Sequence, residues 1–187
     1  MQPLPAPASL VVIGNSLATN PPAPELGWTH DWGMAASDAA HDYAHLVASG
    51  LGIPLSVANF VVLEHSPIAS MPLIASFTAG IDAHTAVVIE LGDNAAWPDF
   101  PQAYDALLDA AKGQSLLCLS TWFGIGAKDA VLRDECAAHG GRWIFIGDIY
   151  PARADVIPAG ENPAVAAHPH DASMAEIARR VLQAFGR

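Results

Sequence analysis

Ser9-Leu10-Val11-Val12-Ile13-Gly14-Asn15-Ser16-Leu17 is the stretch on which the reading of this chain turns. The apolar run Leu10 to Ile13, β-branched at Val11, Val12 and Ile13, leads straight into Gly-Asn-Ser. A continuous apolar run of this kind is what a strand buried on both faces looks like. A strand that stops at a glycine and a small polar pair delivers its last side chain to the carboxyl edge of a sheet. In open α/β sheets ligands bind at that edge. Ser16 is therefore the candidate nucleophile, and the remaining residues are read for a base and an oxyanion site.

Outward from this strand, apolar segments alternate with helical periodicity. Leu55 to Val62, Thr85 to Leu91, Ser115 to Ser120 and Arg142 to Ile146 read as further strands. Helices are expected from Ser37 or Asp38 to Ser49, stopped by Gly50 and Gly52, and from about Ile68 to Ala79. Others follow over Pro101 to Lys112, Lys128 to His139, and from Asp171, read as an N-cap, onward. Residues 147–170 read as irregular. This alternation predicts an α/β fold: a three-layer α/β/α, flavodoxin-like sandwich on a parallel five-stranded sheet, with residues 1–187 as a single domain.

Composition narrows the function. The chain of 187 residues is 52% hydrophobic and carries a net charge of -11, from 8 basic and 19 acidic residues. That balance argues against nucleic acid and anionic membranes, which are bound mainly through Lys and Arg. No apolar stretch approaches the roughly 20 residues of a membrane helix. The first strand starts at Ser9, leaving no room for a signal peptide ahead of it. The expectation is cytoplasmic for the chain as it stands, and periplasmic or secreted for one whose leader was removed. Cys118 and Cys136 lack metal-ligand spacing and read as free thiols, with a disulfide as the alternative.

In the predicted sheet, the ends of strands one, three and four and the loop before the last helix share one rim. That gathers Ser16, Asn94, Trp122 and the segment Ala167-His168-Pro169-His170. A serine hydroxyl is a weak nucleophile until a base takes its proton. His168 is the best base on offer, stiffened by Pro169 and anchored by the helix after it. The Ser16 N–H and the Asn94 amide are suitable oxyanion donors. The long loop 18–34, broken by Pro and Gly, brings Trp28, His30 and Trp32 close behind the serine. The candidate substrate pocket is Asn15, Trp28, Trp32, Asp93, Trp122 and His170. Trp97 and Trp143 read as core. His41 and His45 lie four apart without a third ligand, so neither metal nor cofactor is expected.

Gly14-Asn15-Ser16-Leu17, Gly92-Asp93-Asn94 and His168-Pro169 resemble the first, third and fifth blocks of the SGNH (GDSL-like) hydrolases. Pro24-Glu25-Leu26-Gly27-Trp28 and Trp32-Gly33-Met34-Ala35-Ala36-Ser37 are similar to a bacterial branch akin to carbohydrate acetylesterases. The resemblance implies Ser16 as nucleophile, His168 as base, and Asn94 with the Ser16 N–H as oxyanion donors. It also implies a small-molecule or polysaccharide ester as substrate. Three departures stand out. Ala95 follows Asn94 where the family has Asp, and Asn59-Phe60-Val61 lacks the glycine of the second block. Val165 occupies the position of the family's acid. Asp171 reads as a helix cap, and Asp155 and Glu161 as solvated loop charges. The expectation is a Ser–His dyad whose histidine is oriented by a group not assigned, a backbone carbonyl or a water. The alternative is a weak or inactive module on the same fold that binds carbohydrate or acylated polymer.

Overall fold

The structure is a computed structural model that describes residues 2–152 and 154–187. Its core is a parallel sheet of β1 (Ser9–Gly14), β2 (Leu55–Asn59), β3 (Thr85–Glu90), β4 (Ser115–Leu119) and β5 (Arg142–Ile144), in the order β2-β1-β3-β4-β5. The register sets Gly14 opposite Asn59 on one side and Glu90 on the other. The two faces of the sheet follow the alternation of side chains along a strand. Leu10, Val12, Ala86, Val88, Leu117 and Leu119 pack under α1 (Tyr43–Leu51) and the last helix, α9 (Asp171–Ala184). Val11, Ile13, Val87, Ile89 and Cys118 pack on the opposite layer. That layer holds α2 (Val61–His65), α3 (Pro67–Ser70), α4 (Ile74–Thr78), α5 (Phe100–Ala110) and α6 (Gly126–Ala138). The architecture is the three-layer sandwich expected.

Several boundaries differ from expectation, each for a local reason. β2 stops at Asn59 because the Phe60 N–H turns in to donate to the Gly14 carbonyl at 2.7 Å. The Asn59 side chain then accepts the Val61 N–H at 3.0 Å and opens α2. Asp38 caps only a 3₁₀ turn, Ala39–His41, and Asp42 is the cap of α1, accepting the His45 N–H. Gly50 does not end α1. It lies inside the helix, where a Cβ would come within 2.8 Å of Leu182 on α9. The helix ends at Gly52, whose φ of 70° suits a residue without a Cβ.

The stretch 61–78 is broken by Pro67 and Pro72 into short turns of helix. Residues 147–170 also include α7 (Ile149–Ala152) and α8 (Pro163–Ala166). Cys118 on β4 and Cys136 on α6 face each other with Cα atoms 6.2 Å apart and form a disulfide. The free-thiol expectation is therefore corrected: the β4–α6 crossover brings both sulfurs into one apolar layer. Trp97 is 41% exposed and Trp143 only half-buried, so neither belongs to the fully buried core. Among the described residues, no helix is long and apolar enough to cross a membrane.

Candidate active site

Ser16 follows β1 in a turn that leaves little freedom. A Cβ on Gly14 would lie 2.7 Å from Ala18 Cβ and 2.8 Å from Glu90 Oε2, so only glycine lets the turn close there. Asn15, fully buried, donates its N–H to Glu90 at 3.2 Å and accepts the Leu17 N–H at 3.0 Å. The Ser16 carbonyl accepts the Met34 N–H at 2.8 Å, which ties the far end of the long loop to the Ser16 turn. Asn15 therefore braces the turn and is not among the residues that line the cavity beside Ser16.

The turn hands the Ser16 hydroxyl to His168 Nε2 at 2.8 Å. On the other side of the ring, Nδ1 lies 2.8 Å from the Ala164 carbonyl oxygen. That carbonyl is available because α8 ends so soon. A longer helix would send the His168 N–H to Ala164, whereas here it goes to Val165 O at 2.9 Å. Asn162 caps α8 by accepting the Ala164 N–H at 2.9 Å, holding the peptide just before the one whose carbonyl orients the histidine. A carbonyl accepts only, so Nδ1 carries the proton and Nε2 faces the hydroxyl with its lone pair. Burial pushes the His168 imidazole below its ordinary pKa, opposed by its contacts with the Ala164 and Val165 backbone.

Among the described residues, the ring nitrogens of His168 face Ser16 and Ala164, and the carboxylates near in sequence hydrogen-bond elsewhere. Val165 is buried against Trp28, Met34 and Ala35, on the side of α8 away from the serine. Glu161 pairs with His170 Nε2 at 2.8 Å, and both side chains are largely buried. Asp155 accepts the His170 N–H at 3.1 Å and the Ser173 N–H at 2.9 Å, thereby capping α9 from outside. Asp171 does not cap its own helix. Its carboxylate accepts from the Ser37 N–H and hydroxyl at 2.8 and 2.7 Å. The readings of Asp155 and Glu161 as solvated charges and of Asp171 as a cap are corrected accordingly.

The opposite wall is the turn after β3. Asp93 accepts the Trp122 N–H at 3.1 Å and lies 3.4 Å from the Phe123 N–H. Burial raises its carboxyl to a pKa of about 6. Lys128 Nζ donates to the Gly92 and Asp93 carbonyls, each at 3.0 Å. Asn94 donates from Nδ2 to Glu64 at 3.1 Å. Glu64, fully buried on α2, is the site residue that the sequence reading missed. It lies among residues that read as a strand end and an ambiguous helix. The one available signal was its place just beyond the carboxyl end of the second strand, on the rim that holds Ser16.

Ser16, Leu17, Asp93, Asn94, Trp122, Phe123, Ala164, Ala167 and His168 enclose a cavity of about 190 Å³. Of the expected pocket residues, Asp93 and Trp122 line it, with the Trp122 indole N–H bound to the Ala167 carbonyl at 2.8 Å. Trp28 and His170 instead line a separate cleft of about 780 Å³ on the far side of α8. Trp32 stacks on His30 with centroids 4.1 Å apart and lines neither space. His41 binds Ser37, and His45 binds Asp42, away from one another. Among the described residues, the trio with metal-ligand spacing is Asp105, Glu135 and His139, on α5 and the end of α6.

The strand order β2-β1-β3-β4-β5, with serine, asparagine and histidine at its carboxyl rim, belongs to a fold that this chain shares with solved GDSL-like lipase and acetylxylan esterase structures. It is similar to a candidate GDSL-like lipase from Bacteroides uniformis, at TM-score 0.59 and 12% identity over 96% of each chain. It is also similar to Axe2, an acetylxylan esterase from Geobacillus stearothermophilus, at TM-score 0.59 and 14% identity, covering 96% of this chain and 94% of that one. A third likeness is to LAE5, an alpha/beta hydrolase enzyme from the metagenome of Lake Arreo, at TM-score 0.57 and 16% identity, covering 96% and 95%. No protein-family model and no curated relative matches the chain.

Proposed function

We propose that the protein is a serine esterase that removes a short acyl group, acetyl, from a hydroxylated substrate, a carbohydrate. The observation that carries this reading is the relay Ser16 Oγ–His168 Nε2 and His168 Nδ1–Ala164 O, each 2.8 Å long, opening on a small cavity. In the first step Ser16 Oγ attacks the ester carbonyl while His168 Nε2 takes its proton. The Ser16 N–H, which has no acceptor among the described residues, and an Asn94 Nδ2 proton stabilise the tetrahedral oxyanion. The imidazolium returns the proton to the leaving alkoxide, and a water activated by His168 hydrolyses the acyl-enzyme. Ala164 supports this cycle differently from an acid. Its carbonyl fixes the tautomer but offers a partial charge to the imidazolium, so the relay is competent with a higher barrier than a triad.

The size of the cavity supports a small acyl group, since drug-sized ligands need about 300–1,000 Å³. Leu17, Trp122, Phe123, Ala164 and Ala167 leave little length for a longer chain. Carbohydrate is favoured by the likeness to an acetylxylan esterase. Hydrolysis of p-nitrophenyl acetate, with esters of increasing chain length and acetylated oligosaccharides, tests the reading. Activity should decline with acyl length and vanish in Ser16→Ala. The missing carboxylate on His168 favours one other reading, a binding module that has kept the fold. Sugar binding without turnover of any small ester would select it.

A further inference from the structure

We infer that Glu64 is the positioning residue that aims the Asn94 amide at the oxyanion, an inference that rests on the esterase reading of this site. The second-block glycine of the family is absent, and the two N–H groups that stand in its place are already engaged. The Phe60 N–H is taken by the Gly14 carbonyl at 2.7 Å and the Val61 N–H by the Asn59 side chain at 3.0 Å. The oxyanion then depends on the Ser16 N–H and on Asn94, and an asparagine amide helps only if one of its protons points into the cavity. Glu64 decides where it points. Its carboxylate accepts one Nδ2 proton at 3.1 Å, which leaves the other for the cavity that Asn94 lines.

The same two oxygens receive the Gly92 N–H, the Asn94 N–H at 3.3 Å and the Asn15 side-chain amide at 3.4 Å. One buried carboxylate thus joins the nucleophile turn after β1 to the oxyanion turn after β3. Lys128 holds that second turn by its carbonyls while Glu64 holds it by its N–H groups. Only an acceptor without protons fits so many donors. The Gly92 and Asn94 N–H groups both donate to Oε1, so a glutamine would keep its oxygen there and present its NH₂ group to the Asn94 amide, and that rotamer would yield. A fully buried carboxylate is costly unless such donors surround it.

The test is Glu64→Gln and Asn94→Ala, singly and together, with p-nitrophenyl acetate. We expect Glu64→Gln to lower kcat about ten- to a hundredfold, with KM changed by less than about twofold. In the Asn94→Ala background the same substitution should cost no more than about twofold, because both act on one donor. An unchanged kcat in a folded Glu64→Gln, or losses that multiply in the double variant, overturns the inference. If Glu64→Gln fails to fold, the wild type still decides by NMR. One Asn94 Nδ2 proton, assigned by its absence in Asn94→Ala, should be shifted far downfield and protected from exchange. Two freely exchanging Nδ2 protons contradict the inference. Activity that survives Ser16→Ala would sink the esterase reading instead, and is told apart by that variant.

Discussion

The two halves of this site are built from different material. Ser16 and Asn94 stand just past β1 and β3, where neighbouring strands fix the backbone and buried carboxylates hold the turns. His168 stands in the connection to α9, where no sheet reaches. It is held by a helix of four residues, an Asn162 cap, and the Glu161–His170 and Asp155 contacts behind it. On the sheet side, side chains supply the polar contacts. On the loop side, the decisive acceptor is a peptide carbonyl. A histidine can therefore keep its tautomer without a carboxylate, provided a helix ends where its last carbonyls face the ring.

The largest effect expected is loss of the relay itself. Ser16→Ala and His168→Ala should each lower kcat/KM for p-nitrophenyl acetate by about a thousandfold or more, since members of such a unit fail together. A mild loss in His168→Ala would mean that the loop half contributes little.

Placing an acid at position 165, where the resemblance to SGNH hydrolases would put one, sharpens the contrast further. Val165→Asp should not raise kcat, because Val165 faces Trp28, Met34 and Ala35 rather than the imidazole. It should instead destabilise the fold by about 2–4 kcal/mol, the cost of an unpaired polar group in an apolar cluster. Chemical denaturation beside the esterase assay checks both. A gain in kcat would show that α8 can rotate and that its carbonyl is not the fixed orienter.

The disulfide on the sheet side should matter to stability and hardly to catalysis. Cys118 and Cys136 are 18 residues apart in sequence, and closing a loop of that size contributes about 3 kcal/mol in the chain-entropy model. Cys136→Ala should therefore lower the denaturation midpoint and leave KM unchanged. A lost activity in the folded variant would tie α6 to the site more tightly than Lys128 alone implies.

The smallest effect is a shift in the pH profile. His168 must be neutral to take the serine proton, and burial depresses its pKa. The active form therefore persists below the ordinary histidine value of about 6.5 and is lost as pH falls through the folded value. The rising limb of kcat/KM should have its midpoint below 6.5, and should remain in Asp93→Asn, which removes the carboxyl titrating at about 6. A limb above 6.5 would point to a carboxylate at the ring.

What could be read from residues alone follows the same division. The strand ends announced themselves, because Leu10 to Ile13 and Thr85 to Leu91 are apolar runs that halt at glycine. Ser16, Asn94 and His168 followed from those halts and from the short blocks around them. Ala164 could not, since the group that orients the histidine is a carbonyl that every residue carries. What selects it is where α8 stops. Glu64 was hidden by Pro67 and Pro72, which break the following stretch into turns that no period reveals. Trp28 lay near the serine in sequence, yet α8 stands between its cleft and the serine's cavity.

The central claim is that Ser16 forms a covalent acyl-enzyme with a histidine oriented by a carbonyl. Rapid quench of the wild type with p-nitrophenyl acetate, followed by mass spectrometry of the peptide that contains Ser16, tests it most directly. The account predicts one added acetyl group on Ser16, formed before steady-state turnover and absent from Ser16→Ala. An unmodified Ser16 under conditions where the ester is being hydrolysed would contradict it.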